Sequence, residues 1–336
     1  MEKFLTVVTL LAPLLMLVLV GYMVRRLDYF PASAVKGLAT FIAKIAIPVA
    51  LFRMIAVQDL GEILDVSLIL GYLMASSLIA ALIFISARGA LIANALRSMT
   101  MAFGVSTSNA VMIGFPIIPL AFGEAGSAAI TILFLAQSCI LIPLKLAIWG
   151  GIHDGQRPTM GRAGRLIFDA IRNPIIAGIL AGMAVAFLRF TFPELANYLI
   201  TFINLPALAP ITAAISHAGA ALAMTAGGLA LFYIGCSLHG ANFLPLARDV
   251  TLTAFGKLLG HPIAMLGSMG LMAMLFGGLN WDVARACIAV AAIPMISVYP
   301  AIASQYGEEA FASKAATFTL LLGAATLTVW LIFTLP

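Results

Sequence analysis

Long apolar runs separated by short polar connections make up nearly the whole chain. A helix needs about 20 apolar residues to cross the hydrocarbon core of a bilayer, and on that measure the pattern predicts about ten membrane-spanning helices, here called spans 1 to 10. They lie near residues 4–24, 35–54, 66–87, 98–122, 126–149, 173–191, 209–238, 250–277, 284–305 and 310–335. The predicted fold class is therefore an all-α polytopic membrane protein.

Span 4 carries polar and helix-breaking residues where the bilayer is most apolar. At roughly 1.5 Å per residue, Asn109 would lie about 16 Å into the span. Pro116 removes one backbone N–H, and its ring clashes with the preceding turn, so the helix should break here. Broken backbone at this depth is tolerated only where it lines a cavity or is covered by protein, which predicts half of a binding site. Its candidate residues are Ser106, Ser108, Asn109 and Pro116.

Span 9 repeats the spacing of proline, glycine and glutamate found in span 4. Pro116, Gly123 and Glu124 of span 4 are matched by Pro300, Gly307 and Glu308 of span 9, each 184 positions later. Pro294 adds a second interior break. A single proline more often only kinks a packed helix, but interrupted segments at corresponding positions of two halves indicate one shared substrate site.

Each half of the chain holds five predicted spans, so the second half must enter the membrane in the opposite orientation. Any likeness between the halves is then an inverted repeat. A second match, between residues 48–52 and 228–232, supports this reading. We expect a first five-helix repeat over residues 1–150, a cytoplasmic connection over 151–172 and a second repeat over 173–336.

Composition and charge agree with this class of protein. Hydrophobic residues make up 63% of the chain and charged residues 9%, and the mean hydropathy is +1.12. The net charge of +5 comes from basic residues at helix ends instead of a stripe, so no nucleic-acid partner is expected. Eleven basic residues fall on one side of the predicted topology and four on the other. Because positive residues mark the cytoplasm, both termini are predicted to lie outside the inner membrane.

Three lysines fall inside predicted spans, where a lone ammonium group costs several kcal/mol. Lys145 is near a helix end and is expected to reach the interface with its long side chain. For Lys257 this explanation and a functional one are equally open. Lys44 is too deep to reach the interface and is expected to face an internal polar pocket. Lys44 and Lys257 are therefore the candidates for attracting an anion.

The histidines are scattered and form no metal-ligand cluster at helical spacing. We expect His217, His239 and His261 to be packing or interface residues. The sequence predicts no metal site and no cofactor.

Several fragments, in their order along nearly the whole chain, carry a resemblance to a known family. They are Ser108–Asn109, Gly114–Pro116, Arg172–Pro174, Leu229–Phe232 with Ile234–Gly235, Lys257–Leu259 ahead of Pro262, and Ile293–Pro294 through Tyr306–Gly307. With these fragments the chain resembles the auxin efflux carrier family, in the bacterial branch of malonate and other organic-anion carriers.

The resemblance implies a fold similar to bile-acid and sodium–proton transporters, in which spans 4 and 9 cross at their breaks. Spans 1, 2, 6 and 7 would form a scaffold, with a homodimer through them as an open possibility, and spans 3–5 and 8–10 would move against it. The implied function is secondary transport of a small organic anion such as malonate by alternating access. Helix N-termini at the breaks and Asn109, helped by Ser297, would contact the carboxylate.

Two other functions compete with transport. A membrane receptor or regulator would bind a small carboxylate without flux, since fold does not fix function. An intramembrane enzyme would need a nucleophile with a base or a metal cluster. The sequence has no HExxH, no G-x-S-x-G and no paired carboxylates deep in a span, so we predict that the protein is not an enzyme. The direction of transport and its coupling to protons, sodium or neither stay open.

Overall fold

The structure, a computed structural model, describes residues 2–58, 65–91, 93–154, 174–203, 205–206, 208–239 and 248–335. All regular elements in these ranges are helical. Most of the predicted connection over 151–172 and the two terminal residues lie outside the described residues.

Fifteen α-helices form the described part of the chain. In chain order they are α1 (Glu2–Arg26), α2 (Ala32–Phe41), α3 (Ile47–Ile55), α4 (Val66–Gly89), α5 (Ala95–Val105), α6 (Phe115–Leu135), α7 (Ile142–Asp154), α8 (Pro174–Thr191), α9 (Pro193–Ile203), α10 (Ala209–Leu238), α11 (Arg248–Phe255), α12 (His261–Phe276), α13 (Trp281–Ala291), α14 (Tyr299–Ser304) and α15 (Glu309–Thr334).

Eight helical segments among the described residues are long and apolar enough to cross a membrane. One of them, Ala95–His153, covers predicted spans 4 and 5, and the chain turns inside it at Gly123, where φ is 61° and ψ is −131°. Span 9 is not among the eight because the chain leaves the helix between Ala291 and Tyr299. The polytopic all-helical class is confirmed, whereas the count of ten stays a prediction.

Four π-helical turns interrupt the helices of the described chain, and each ends two residues before a proline. The turns are Ile42–Ala46, Ala110–Gly114, Ala136–Leu141 and Gly256–Gly260, ahead of Pro48, Pro116, Pro143 and Pro262. A proline has no N–H to donate and its ring crowds the carbonyl four residues earlier, so the preceding turn widens. These four prolines account for the positions of the π-helical turns, whereas Pro13 and Pro119 lie inside α-helices.

Polar side chains cap the start of three helices. Asn94 accepts the backbone N–H of Arg97 at 2.8 Å at the start of α5, and Asn280 accepts that of Asp282 at 3.2 Å at the start of α13. Asp65 caps α4 in the same way. Each cap satisfies amides that have no partner within the helix, so both broken segments, α5 and α13, begin at a fixed residue.

The helices pack in two groups. Within the first, α1 lies against α10, and α3 lies against α8 and α10; within the second, α4 lies against α5 and α12, α6 against α13, and α11 against α15. The α3–α8 contact is close because a Cβ on Gly178 would collide with the backbone of Pro48. The two groups also contact each other, and the division into a scaffold and a moving unit stays a prediction.

Candidate functional site

The interruptions of predicted spans 4 and 9 lie in direct contact. The first separates α5 from the π-helical turn Ala110–Gly114, and the second separates α13 from α14. The backbone N–H of Asn109 donates to the carbonyl oxygen of Pro294 at 2.9 Å, and the Asn109 side-chain Nδ2 donates to Ser297 Oγ at 2.6 Å. One residue of the first break thus holds two residues of the second.

Asn109 also starts the helical segment that follows the first break. Its Oδ1 accepts the backbone N–H of Met112 at 3.2 Å, and its carbonyl oxygen accepts those of Ile113 and Gly114 at 3.1 and 3.0 Å. Asparagine is among the preferred residues for this capping position. The amide nitrogen carries a second N–H, which has no partner among the described residues and remains available for a ligand.

A cavity of about 310 Å³ lies at the contact between the breaks. Four of the predicted site residues line it, namely Asn109, Pro294, Ser297 and Pro300. Further polar lining comes from the end of α10 and the first half of α15, through Tyr233, Ser237, His239, Ser313 and Thr317. A water molecule occupies about 30 Å³ in the liquid, so the cavity has room for a three-carbon dicarboxylate with some of its hydration water.

Two buried lysines lie behind the first break. Lys257 is fully buried, and its Nζ donates to Ser108 Oγ at 2.6 Å and to the carbonyl oxygen of Ala291 at 3.0 Å, with His261 Nδ1 at 2.9 Å. Lys145 is 6% exposed, and its Nζ donates to Ser106 Oγ at 2.6 Å. The two predicted serines therefore contact lysines and are not among the residues that line the cavity.

Gln137 satisfies the open backbone of the first break. Its Oε1 accepts the backbone N–H of Ser108 at 2.7 Å, its Nε2 donates to the Ser108 carbonyl at 3.0 Å, and Tyr72 OH donates to the same Oε1 at 2.8 Å. Unpaired backbone groups cannot persist in hydrocarbon, and this amide replaces the missing helical partners. Sequence reasoning missed Gln137 and Tyr72 and expected His261 to be a packing or interface residue; a lone glutamine inside an apolar span was the available signal.

The other predicted residues lie apart from the cavity. Pro116 is buried beside Gly227 of α10. Lys44 is exposed on the π-helical turn Ile42–Ala46, not inside a polar pocket, and Lys145 is buried instead of reaching the interface. Among the described residues, no group of three or more His, Cys, Asp or Glu side chains could hold a metal ion.

Comparison with known proteins points to transport. Residues 6–150, which include the first break, match the family model described as "Membrane transport protein". The chain is 27% identical over 329 residues to a "Putative malonate transporter" of Rhizobium meliloti (strain 1021), an alignment that covers 95% of this chain and 93% of that protein.

Both matches are to transport proteins and indicate a non-enzymatic membrane transporter. They also confirm the resemblance to the auxin efflux carrier family that the sequence fragments carry.

Proposed function

We propose that this protein is a secondary transporter that moves a small organic anion, with malonate as the leading candidate, by alternating access around the contact between the breaks. The proposal rests on one observation. The same cavity is lined by Asn109, Pro294, Ser297 and Pro300. These residues come from the two interrupted segments, which is where secondary transporters bind their substrates.

The cavity lies between the two helix groups. Tyr233, Ser237 and His239 come from the end of α10 in the first group, whereas both breaks and α15 belong to the second. A ligand held by Asn109 and Ser297 would move with the second group when it slides along α10. In the predicted topology, the end of α10 and the start of α15 lie on the cytoplasmic side, so this arrangement corresponds to a cytoplasm-facing state.

Selectivity for an anion has two physical sources here. The helical segment that begins after Asn109 has the positive end of its dipole at the first break, next to the cavity that Asn109 lines. Behind the same break, Lys145 and Lys257 hold two buried amines whose hydrogen bonds go to serine hydroxyls, an imidazole and backbone carbonyls, without a carboxylate among these partners. A bound anion favours the protonated form of these amines, and by linkage their protonated form favours a dianion over a monoanion.

Uptake of labelled malonate by proteoliposomes tests the proposal. We expect uptake above that of protein-free liposomes, recovery of unaltered malonate and competition by other short dicarboxylates. The absence of an arginine from the described lining predicts affinity nearer micromolar to millimolar than nanomolar. Saturable binding without uptake in either membrane orientation would support a receptor, and chemical change of malonate would support an enzyme.

A further inference from the structure

The cavity described above contains an imidazole that the proposed mode of anion binding does not use. We propose that His239, in its protonated form, is a carboxylate-binding residue of this cavity, so that anion binding is controlled by pH. This inference rests on the proposed function and adds a charged ligand to the site. His239 follows the last residue of α10 directly and lines the same cavity as Asn109 and Ser297.

Among the described residues that line the cavity, His239 is the one that can carry a positive charge. The remaining described lining residues are apolar or carry neutral hydroxyl and amide groups, with no lysine, arginine, aspartate or glutamate among them. The neutral groups can orient a carboxylate through hydrogen bonds but cannot balance its charge. Lys145 and Lys257 act from behind the break, through Ser106 and Ser108. A protonated His239 would therefore be the cation in direct reach of the ligand.

His239 is also accessible to its ligand and to protons. The residue is exposed, and its ring centroid lies 6.3 Å from that of Tyr22 on α1 at a tilt of 58°. The Tyr22 ring thus lies beside the imidazole, and His239 also lines the cavity. The cavity side presents Ser313 and Thr317 from α15 as additional hydrogen-bonding groups.

The titratable and charged groups on the surrounding elements leave an anion as the natural partner of His239. Arg25 on α1 forms an ion pair with Asp28 at 2.9 Å, and Lys314 on α15 is exposed and outside the lining. The two breaks contribute only neutral residues to the cavity. The titratable or charged groups on the described elements around this end of the cavity include Tyr22, Arg25, Arg26, Asp28, Tyr233, Cys236, Glu309 and Lys314, and none of the ion pairs among the described residues involves His239.

The chemistry gives a definite sign to the pH dependence. An imidazole changes charge between about pH 5 and pH 8, and both of its nitrogens donate hydrogen bonds when it is protonated. Below this range the cation attracts a carboxylate, and above it the attraction is lost. Affinity for an anion should therefore fall as pH rises. By linkage, binding within the range should take up protons from solution.

The test measures malonate affinity of the full-length protein in detergent at about pH 5.5, 6.5 and 7.5, an interval over which an imidazole loses most of its charge. His239→Gln removes the imidazole, His239→Lys supplies an amine that stays protonated over this range, and His217→Gln is the matched control. His217 is exposed on α10, 22 residues before His239, and does not line the cavity. Because each variant is compared with the wild type at the same pH, ionisation of malonate itself cancels.

We expect the wild type to bind about fivefold more tightly than His239→Gln at the lowest pH and equally at the highest, as for a partly exposed ion pair. His239→Lys should keep the tighter binding across the range relative to the glutamine variant, and His217→Gln should match the wild type throughout. A wild-type to His239→Gln ratio that does not change with pH would overturn the inference while leaving the proposed function intact. If the wild type binds no carboxylate at any pH, both fail.

Discussion

The backbone amide of Asn109 donates a hydrogen bond to the carbonyl oxygen of Pro294 across 2.9 Å. The two residues belong to opposite halves of the chain, and each lies where its own segment has lost helical hydrogen bonds. Lipid hydrocarbon offers no hydrogen-bonding partner, so this bond satisfies a donor and an acceptor that would otherwise be unpaired. It also fixes the distance between the breaks. A site built on both breaks is held in register by the same contact.

Replacing Lys257 with glutamine should weaken binding of malonate more than binding of a monocarboxylate. The substitution removes a buried amine that is protonated next to a bound dianion, while a shorter polar group remains to bond Ser108. We expect the ratio of malonate to acetate affinity to fall about threefold to tenfold. The measurement is equilibrium binding of both anions, and their ratio is insensitive to the fraction of folded protein.

Lys44→Gln is the matched control for this experiment, because Lys44 is exposed and does not line the cavity. Its affinity ratio should equal that of the wild type. A selective loss of malonate binding in Lys44→Gln, with none in Lys257→Gln, would favour the expectation drawn from sequence over the one drawn from the structure.

Arg97 should stabilise the second helix group by joining three of its helices. From α5 its guanidinium donates to Asp249 of α11 at 2.6 Å and to Glu308 before α15 at 2.5 Å, and it lies 4.4 Å from the centroid of the Phe311 ring. Arg97→Ala would leave two carboxylates close together without their cation. We expect a loss of about 1–3 kcal/mol in the free energy of unfolding.

Thermal unfolding in detergent measures this effect against Arg88→Ala. Arg88 is on the same predicted side and donates one hydrogen bond, to the Ala93 carbonyl at 3.0 Å. Its removal should change stability by less than about 0.5 kcal/mol. Equal melting temperatures for the two variants would show that the three-helix contact contributes nothing measurable.

Gly178 should tolerate no side chain. A Cβ at this position would collide with the backbone of Pro48, so Gly178→Ala must push α8 away from α3. We expect destabilisation of about 1–3 kcal/mol. Gly270→Ala on α12 is the control, since nothing lies within 4 Å of its Cβ position, and alanine there should stabilise the helix by about 0.5–1 kcal/mol. A higher unfolding temperature for Gly178→Ala than for Gly270→Ala would contradict the close packing of α8 on α3.

The termini should be accessible from outside the inner membrane. Tags on Met1 and Pro336 should react with a membrane-impermeant reagent in cells whose outer membrane alone has been opened. The expectation follows from the excess of arginine and lysine on the opposite side. A tag that becomes reactive only after the inner membrane is permeabilised would reverse the topology and place the cavity opening on the outer face.

The sequence could predict the two interrupted segments because their causes are local. Pro116 and Pro300 lack a backbone N–H, but the expected break at Pro116 is wrong in position, since the helices are interrupted before these prolines, at residues 106–109 and 292–298. Asn109 cannot remain unpaired in hydrocarbon. The repeated spacing of 184 residues identified the partner segment. These signals were sufficient to select Asn109, Pro294 and Pro300, which line one cavity.

The environments of the lysines could not be predicted from depth alone. Lys44 lies within a π-helical turn and Lys145 follows another, and each inserted residue rotates the following side chains by about 100° around the helix axis. Regular helical geometry therefore assigns the wrong direction to these residues. Gln137 was missed, and the hydrogen bond of His261 was not foreseen, because their partners Tyr72 and Ser76 come from a span far away in sequence.

The most direct test of the central claim is malonate uptake by proteoliposomes containing the Asn109→Asp variant. Aspartate can still accept the Met112 N–H and cap the following segment, but it replaces the amide donor with a negative charge inside the cavity. We predict that uptake falls by about a hundredfold or more, because like charges brought together cost several kcal/mol, while the melting temperature stays close to that of the wild type. Wild-type uptake by a folded Asn109→Asp protein would contradict an anion site at the contact between the breaks.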